Sequence, residues 1–132
     1  MTDVLAARFA FARLVVRDLQ KQAAFYREVF GYGEGQFIRD AINGRPIEEI
    51  ILSGPDGKVE LIILQFLEGP DPSPTGVMIG FFTQDLEALE ARILAAGGAV
   101  VQAIGSLQMG ERPARFALYA DPEGYQLEVI ER

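Results

Sequence analysis

The sequence predicts an α+β protein made of two modules, each with the order β-α-β-β-β. Three observations predict it. A helix-start and turn pattern recurs 67 positions along the chain, each copy carries apolar residues at helical spacing, and the remaining apolar segments are short and bounded by turn residues. Asp18-Leu19 and Asp85-Leu86 open the two helical patterns, each 13 residues before a glycine, Gly31 or Gly98. Pro55-Asp56-Gly57 and Pro122-Glu123-Gly124 read as turns at the same offset. Each turn leads into a strand carrying one Glu, in Val59-Glu60-Leu61 and Leu127-Glu128-Val129. The second Glu arrives one position late, as a single inserted residue would give.

The elements follow in order. Residues 9–17 have the Phe, Leu and Val content of a strand. Asp18 is a candidate N-cap, Leu19, Ala23, Tyr26 and Phe30 fall on one helical face, and Gly31 is a stop. Strands are expected near 35–41, 46–53 and 58–67, with turns at Asn43-Gly44 and Pro55-Asp56-Gly57. Residues 69–76 hold three prolines and two glycines and read as a linker between a module of about 6–68 and one of about 77–132. The second module repeats the order. It has a strand at 77–83 and a helix capped by Asp85 with Leu86, Leu89, Ile93 and Ala96 inward. Glu87 and Glu90 lie at that helix's positive end, Gly97-Gly98 stop it, and strands follow at 99–103, 112–120 and 125–131. A module of about 65 residues with one helix buries too little apolar surface to stand alone.

Composition narrows the function. The chain has 132 residues and a formal net charge of −7. No basic run is present, so nucleic acid and anionic membrane surfaces are not expected partners. The absence of Cys excludes disulfides, thiolate nucleophiles and Cys-ligated zinc. The absence of His removes the commonest metal ligand and general base. Residues 1–8 show no basic start before an apolar run, so no secretory signal is read there, and a cytoplasmic location is expected.

Val16-Arg17-Asp18-Leu19, followed by Phe25-Tyr26-Arg27-Glu28-Val29-Phe30-Gly31-Tyr32, resembles the opening of the vicinal oxygen chelate (glyoxalase/bleomycin-resistance/dioxygenase) superfamily. Asp121-Pro122-Glu123-Gly124-Tyr125-Gln126-Leu127-Glu128 is similar to its closing Asp-Pro-x-Gly…Glu signature. The resemblance covers nearly the whole chain. It implies the glyoxalase/bleomycin resistance-like fold, with curved mixed sheets around a cleft. In metal-dependent members it also implies four ligands, one from each of four strands. Those positions match Phe11, Glu60, Met78 and Glu128. Both carboxylates are present, while a phenyl ring and a thioether replace the two neutral ligands. A phenyl ring offers no lone pair, and a thioether suits softer ions than carboxylates do. The site is therefore degenerate: no cofactor is expected, beyond a weakly held divalent cation on the carboxylates.

Strand alternation then assigns a cleft. If Phe11 faces it, so do Arg13 and Val15; Glu60 brings Ile62 and Leu64; Met78 brings Gly80 and Phe82; Glu128 brings Gln126 and Ile130; Phe116 and Leu118 are the inward pair on the neighbouring strand. Glu60 and Glu128 are the catalytic candidates. Phe11, Arg13, Ile62, Met78, Phe82, Phe116, Leu118 and Gln126 are the candidate ligand-binding residues. Arg13 is expected to pair with Glu60 or Glu128. Phe25, Tyr26 and Phe30 are expected in the core, and Glu48-Glu49 on a solvated strand or edge. Arg112 and Arg115 face either an anion or water, and Tyr119 and Tyr125 an opening, an interface or the core.

Two functions follow from the resemblance and the cleft. One is a metal-independent protein that binds a small aromatic or amphipathic molecule, as in the bleomycin-resistance branch. The other is a glyoxalase-family lyase or isomerase, or a dioxygenase-like enzyme, using a weakly held divalent ion or a Glu general base. A homodimer is expected from the resemblance. A regulatory subunit that binds another protein is a third reading, with only the acidic surface behind it.

Overall fold

A computed structural model describes residues 6–132, excepting the side chains of residues 107 and 109. The first module contains β1 (Ala12–Val15), α1 (Leu19–Phe30), β2 (Gln36–Ile42), β3 (Arg45–Ser53) and β4 (Val59–Phe66). The second contains β5 (Met78–Thr83), α2 (Leu86–Ala95), β6 (Ala99–Met109), β7 (Arg112–Ala120) and β8 (Gln126–Glu131). The sheets have matching orders, β1-β4-β3-β2 and β5-β8-β7-β6. In each, the first strand pairs in parallel with the last and the other pairs are antiparallel. The fold is thus α+β in two β-α-β-β-β modules, the architecture read from the sequence.

Local chemistry fixes both helices in the same way. Asp18 accepts a hydrogen bond from Lys21 N and Asp85 one from Ala88 N, both at 3.1 Å. The last strand of each sheet supplies a second cap: Gln65 Oε1 accepts from Leu19 N and Glu131 Oε2 from Leu86 N, each at 3.0 Å. Gly31 closes α1 in the left-handed region, at φ 76°. Asn43 and Gly44 both take positive φ, as a two-residue hairpin turn between β2 and β3 requires.

The helix-facing sides of both sheets share one core. Leu14, Leu52, Leu61 and Ile63 from the first sheet meet Ala117, Tyr119, Leu127 and Val129 from the second, with α1 and α2 between them. Phe30 of α1 stacks on Phe81 of β5 at 3.7 Å between ring centroids. Each large side chain buried there stabilises the fold by about 1.5–3 kcal/mol. Because both sheets look inward onto the helices, their opposite faces point away from the shared core.

Two expectations change at element ends. β1 begins at Ala12 rather than near Phe9, because its ladder with β4 starts at Ala12–Leu61. β6 runs to Met109 rather than 103, because it slips register twice, at Val100/Gln102 and Gln102/Gly105, and then goes on pairing with β7. Sequence alternation does not survive such slips.

Candidate functional site

The faces turned away from the core carry most of the sequence-predicted site residues. On the first sheet, Arg13 pairs with Ile62 and Ile62 with Ile51; in the next row Val15 pairs with Leu64 and Leu64 with Glu49. On the second, Gly80 and Leu118 flank Glu128, Phe82 and Phe116 flank Ile130, and Met78 and Ala120 flank Gln126. Alternation thus groups Arg13 with Ile62, and Met78, Phe82, Phe116, Leu118, Gln126 and Glu128 with one another. The two groups lie on opposite sides of the shared core, so one chain does not bring them into a single cleft. The cavities follow the same division. One of about 410 Å³ is lined by residues of the first module alone, among them Gln36, Ile51, Ser53 and Val59. One of about 450 Å³ runs from the linker to Met78 and Gln126.

The two Glu candidates are not counterparts. Leu61 pairs with Ala12 and Leu52, and Leu127 with Ile79 and Tyr119, so these leucines occupy equivalent places. Ile62 is therefore the counterpart of Glu128, and Gln126 the counterpart of Glu60. The one-residue insertion read from the sequence is replaced by a register in which the two carboxylates stand in different rows. A slip at Leu52/Ser53 also sets Val59, not Glu60, opposite Ser53. Glu60 instead accepts a 2.8 Å hydrogen bond from Tyr32 Oη, just past the end of α1. Its carboxylate fills the space over Gly54, where even a methyl group would collide with it. Burial of Tyr32, and then that bond, raise the phenol well above its usual range. Glu128 makes no side-chain hydrogen bond or ion pair among the described residues, and its neighbour Gly80 has open space where a side chain would start.

Arg13 pairs with neither Glu60 nor Glu128. Its Nε donates to Glu49 Oε1 at 3.2 Å. Glu49 is 6% exposed, which corrects its expected place on a solvated strand or edge. The cause is topological: β3 is an inner strand, and Arg13 reaches over β4 to cover it. Two successive glutamates in a strand point to opposite faces, so Glu48 and Glu49 had to meet different surroundings. That signal was present in the sequence. Glu48 takes the other face and pairs with Arg39 at 2.9 Å.

The remaining candidates resolve in place. Arg115 is held by Glu87 at 2.7 and 2.8 Å and by Glu131 at 2.8 Å. That bonding takes up all three of its nitrogens and holds the Glu87 carboxyl down at about 2. Arg112 joins Pro113, Ala114 and Arg132 around a cavity of about 570 Å³. Tyr119 and Tyr125 belong to the core rather than to an opening. Tyr119 donates to Glu90 at 2.8 Å, and Tyr125 donates to the Val15 carbonyl. Phe25 and Tyr26 are buried and Phe30 packs against the core. Asp121, unassigned from sequence, is 3% exposed and joins the two modules through Gln22 and Tyr26.

The metal of the superfamily's metal-dependent members does not fit this donor set. Phe11 offers a ring that lies 5.2 Å from the Arg13 guanidinium carbon, Met78 a thioether, and Glu60 is bonded to Tyr32. Glu128 stands in another row of the other sheet. Among the described residues no three His, Cys, Asp or Glu side chains gather as ligands. Nor is any helix there long and apolar enough to cross a membrane.

No curated protein matches the chain. Solved structures resemble it throughout. A glyoxalase family protein from Bacillus cereus superposes with a TM-score of 0.69 at 17% identity, covering 98% of this chain and 95% of that one. A glyoxalase/bleomycin resistance protein from Albidiferax ferrireducens T118 gives 0.64 at 21%, covering 94% and 98%. A variant of glyoxalase I from Zea mays gives 0.67 at 18%, covering 92% of this chain and 46% of that one. At these identities the likeness establishes the fold. The sequence profile of one family matches residues 8–129, and the chain accordingly belongs to the Glyoxalase/Bleomycin resistance protein/Dioxygenase superfamily.

Proposed function

We propose that this protein binds a small aromatic or amphipathic molecule without a metal, in a cleft formed where the outward face of the first module meets that of the second module from another copy. The observation that carries this reading is the open apolar row on the second sheet. Met78 is 51% and Phe82 60% exposed, either side of Gly80, above the inner residues Leu118 and Phe116. An apolar face of that kind, with a few polar groups among it, suits a small ligand once a second wall excludes water. The second wall is the first module's face with Phe11, Arg13 and Ile62. β1 and β5 are both edge strands, and a two-fold dimer sets the β1 edge of each copy beside the β5 edge of the other.

The test combines sedimentation with thermal unfolding. The protein is expected to sediment as a dimer, aromatic compounds to raise its melting temperature in proportion to occupancy, and a chelator to change neither. A broad aromatic set that leaves the melting temperature unmoved would overturn the reading. One observation favours a second function. Glu128 has no partner among the described residues and lies beside open space, as a general base for a glyoxalase-family lyase or isomerase, or a dioxygenase-like enzyme, would need. Turnover of an α-hydroxycarbonyl or catechol substrate that Glu128→Gln abolishes and Glu60→Gln spares would select it.

A further inference from the structure

Among the described residues the outward face of the first sheet carries one ion pair, and its geometry is unlike that of the other ion pairs. Arg13 and Glu49 come from strands separated by β4. The pair therefore spans about 10 Å of sheet, twice the strand spacing. Beneath it lie Ile62 and Leu64, 3% and 1% exposed although they sit on the face turned away from the core. Glu49 is the buried member, with 8% of its side chain exposed, and Arg13 the outer one, with 41%. The guanidinium uses only Nε toward Glu49. Its two Nη groups make no hydrogen bond among the described residues, and the Phe11 ring lies beside it. In the second sheet the counterparts of Arg13 and Glu49 are Gly80 and Phe116, so the pair is particular to the first module.

A guanidinium fixed through Nε presents its Nη edge as a planar two-donor fork, the geometry that matches a carboxylate. We infer that Arg13 is a carboxylate-binding residue and Glu49 its positioning residue, so that the ligand of this cleft is an aromatic acid rather than a neutral aromatic. This rests on the cleft reading above and specifies its ligand class. The acid lies with its ring against Phe11 and the apolar floor and its carboxylate on the Nη edge. The opposed Glu49 charge stays on the far side of the guanidinium, where it orients the fork without meeting the ligand.

The test uses benzoate, benzamide and benzylamine, which share a ring and differ in charge, with affinities measured by calorimetry on the purified protein. Benzoate is expected to bind at least about tenfold more tightly than benzamide, the difference of one good charged hydrogen-bonding contact. Benzylamine is expected to be weakest. Arg13→Met alone strands a buried carboxylate and endangers folding, so the double variant Arg13→Met/Glu49→Leu is used, in which an apolar pair replaces the ionic one. It is expected to bind benzoate and benzamide within twofold of each other. Glu49→Gln, whose amide oxygen still accepts from Nε, keeps the preference for benzoate, whereas Glu49→Leu loses it. Equal binding of benzoate and benzamide to the wild type, or a preference that survives in the double variant, overturns the inference and leaves the cleft reading standing. Failure of all three probes to bind overturns both.

Discussion

Tyr26 Oη donates to Asp121 Oδ2 at 2.7 Å, joining the helix of the first module to the last turn of the second. Gln22 Nε2 reaches the same oxygen at 2.8 Å, and Oδ1 accepts from Glu123 N and Tyr125 N at 2.9 and 3.0 Å. The adjacent Glu123 carboxylate accepts from Arg17 N and Asp18 N, both at 2.7 Å. The Asp-Pro-Glu-Gly-Tyr segment is therefore the clasp between modules. Asp121→Ala leaves four donors, three of them in buried bonds, without their acceptor and is expected to cost about 3–5 kcal/mol, as when a buried charged partner is deleted. Asp121→Asn retains one acceptor oxygen and is expected to cost less. Urea unfolding measures both, and a loss under about 1 kcal/mol for the alanine variant would show that the clasp does not hold the modules.

Alkaline pH tests the same interior. The chain has four tyrosines, and burial comes first among the causes that raise each of them. Neighbouring carboxylates add to it: Asp121 at Tyr26, Glu60 at Tyr32, Glu90 at Tyr119 and Glu123 at Tyr125. The folded state holds the phenols protonated where the unfolded chain would release them near pH 10. Their contribution to stability is complete below that pH and is lost as pH rises toward the folded values. Each tyrosine still protonated above pH 10 then lowers stability by up to about 1.4 kcal/mol per pH unit. Tyrosinate absorbance is expected to stay low through pH 10 and to appear together with loss of the circular dichroism of the folded chain. Four phenols titrating near 10 in an intact fold would contradict this.

The fold was legible because its signals are local and doubled. Asp18 and Asp85 cap equivalent helices, and Gly31 closes the first of them. The candidate site was legible only as far as which residues share a strand face. Alternation grouped Met78, Phe82, Phe116, Leu118, Gln126 and Glu128 correctly on one face, because β5, β7 and β8 pair without a slip. It failed at Glu60, because the slip at Leu52/Ser53 is a property of pairing and not of spacing. It missed Glu49 because the partner that buries it, Arg13, lies 36 residues away on a strand that is not a direct neighbour. Motif resemblance equated Glu60 with Glu128, whereas the ladders equate Ile62 with Glu128; a motif carries residue type, and a register decides which residues share a row.

The glycines after α2 offer a sharp packing test. A methyl on Gly98 would lie 2.6 Å from Ile93 Cγ2 and 2.8 Å from the Ala120 carbonyl oxygen. Ile93 is fully buried and the other atom is backbone, so neither yields easily. Gly98→Ala is expected to destabilise by about 1–3 kcal/mol, the cost of overpacking. Gly33 has nothing within 4 Å and takes no positive φ, so Gly33→Ala is expected to be neutral or stabilising by under about 1 kcal/mol. Thermal unfolding of the pair decides, and equal melting temperatures would show that the α2–β6 approach is looser than its geometry.

The second copy is testable apart from the ligand. Met78 and Phe82 are exposed in one chain, so a charge at either position does not disturb that chain's core. If both lie under the other copy, Met78→Glu buries an unpaired carboxylate in the interface and weakens association by several kcal/mol, while Phe82→Glu removes an apolar contact and sets its carboxylate beside Arg132. Each is expected to sediment as a monomer at concentrations where the wild type is a dimer, with far-ultraviolet circular dichroism unchanged. Aromatic binding is expected to fall with dimerisation, because either face alone leaves the ligand open to water. An Arg39→Glu variant, altered at a residue 76% exposed in its side chain and on the helix-facing side of the first sheet, controls for the effect of added charge and is expected to remain dimeric. A Phe82→Glu protein that stays dimeric and still binds aromatics would place the cleft elsewhere, within one chain.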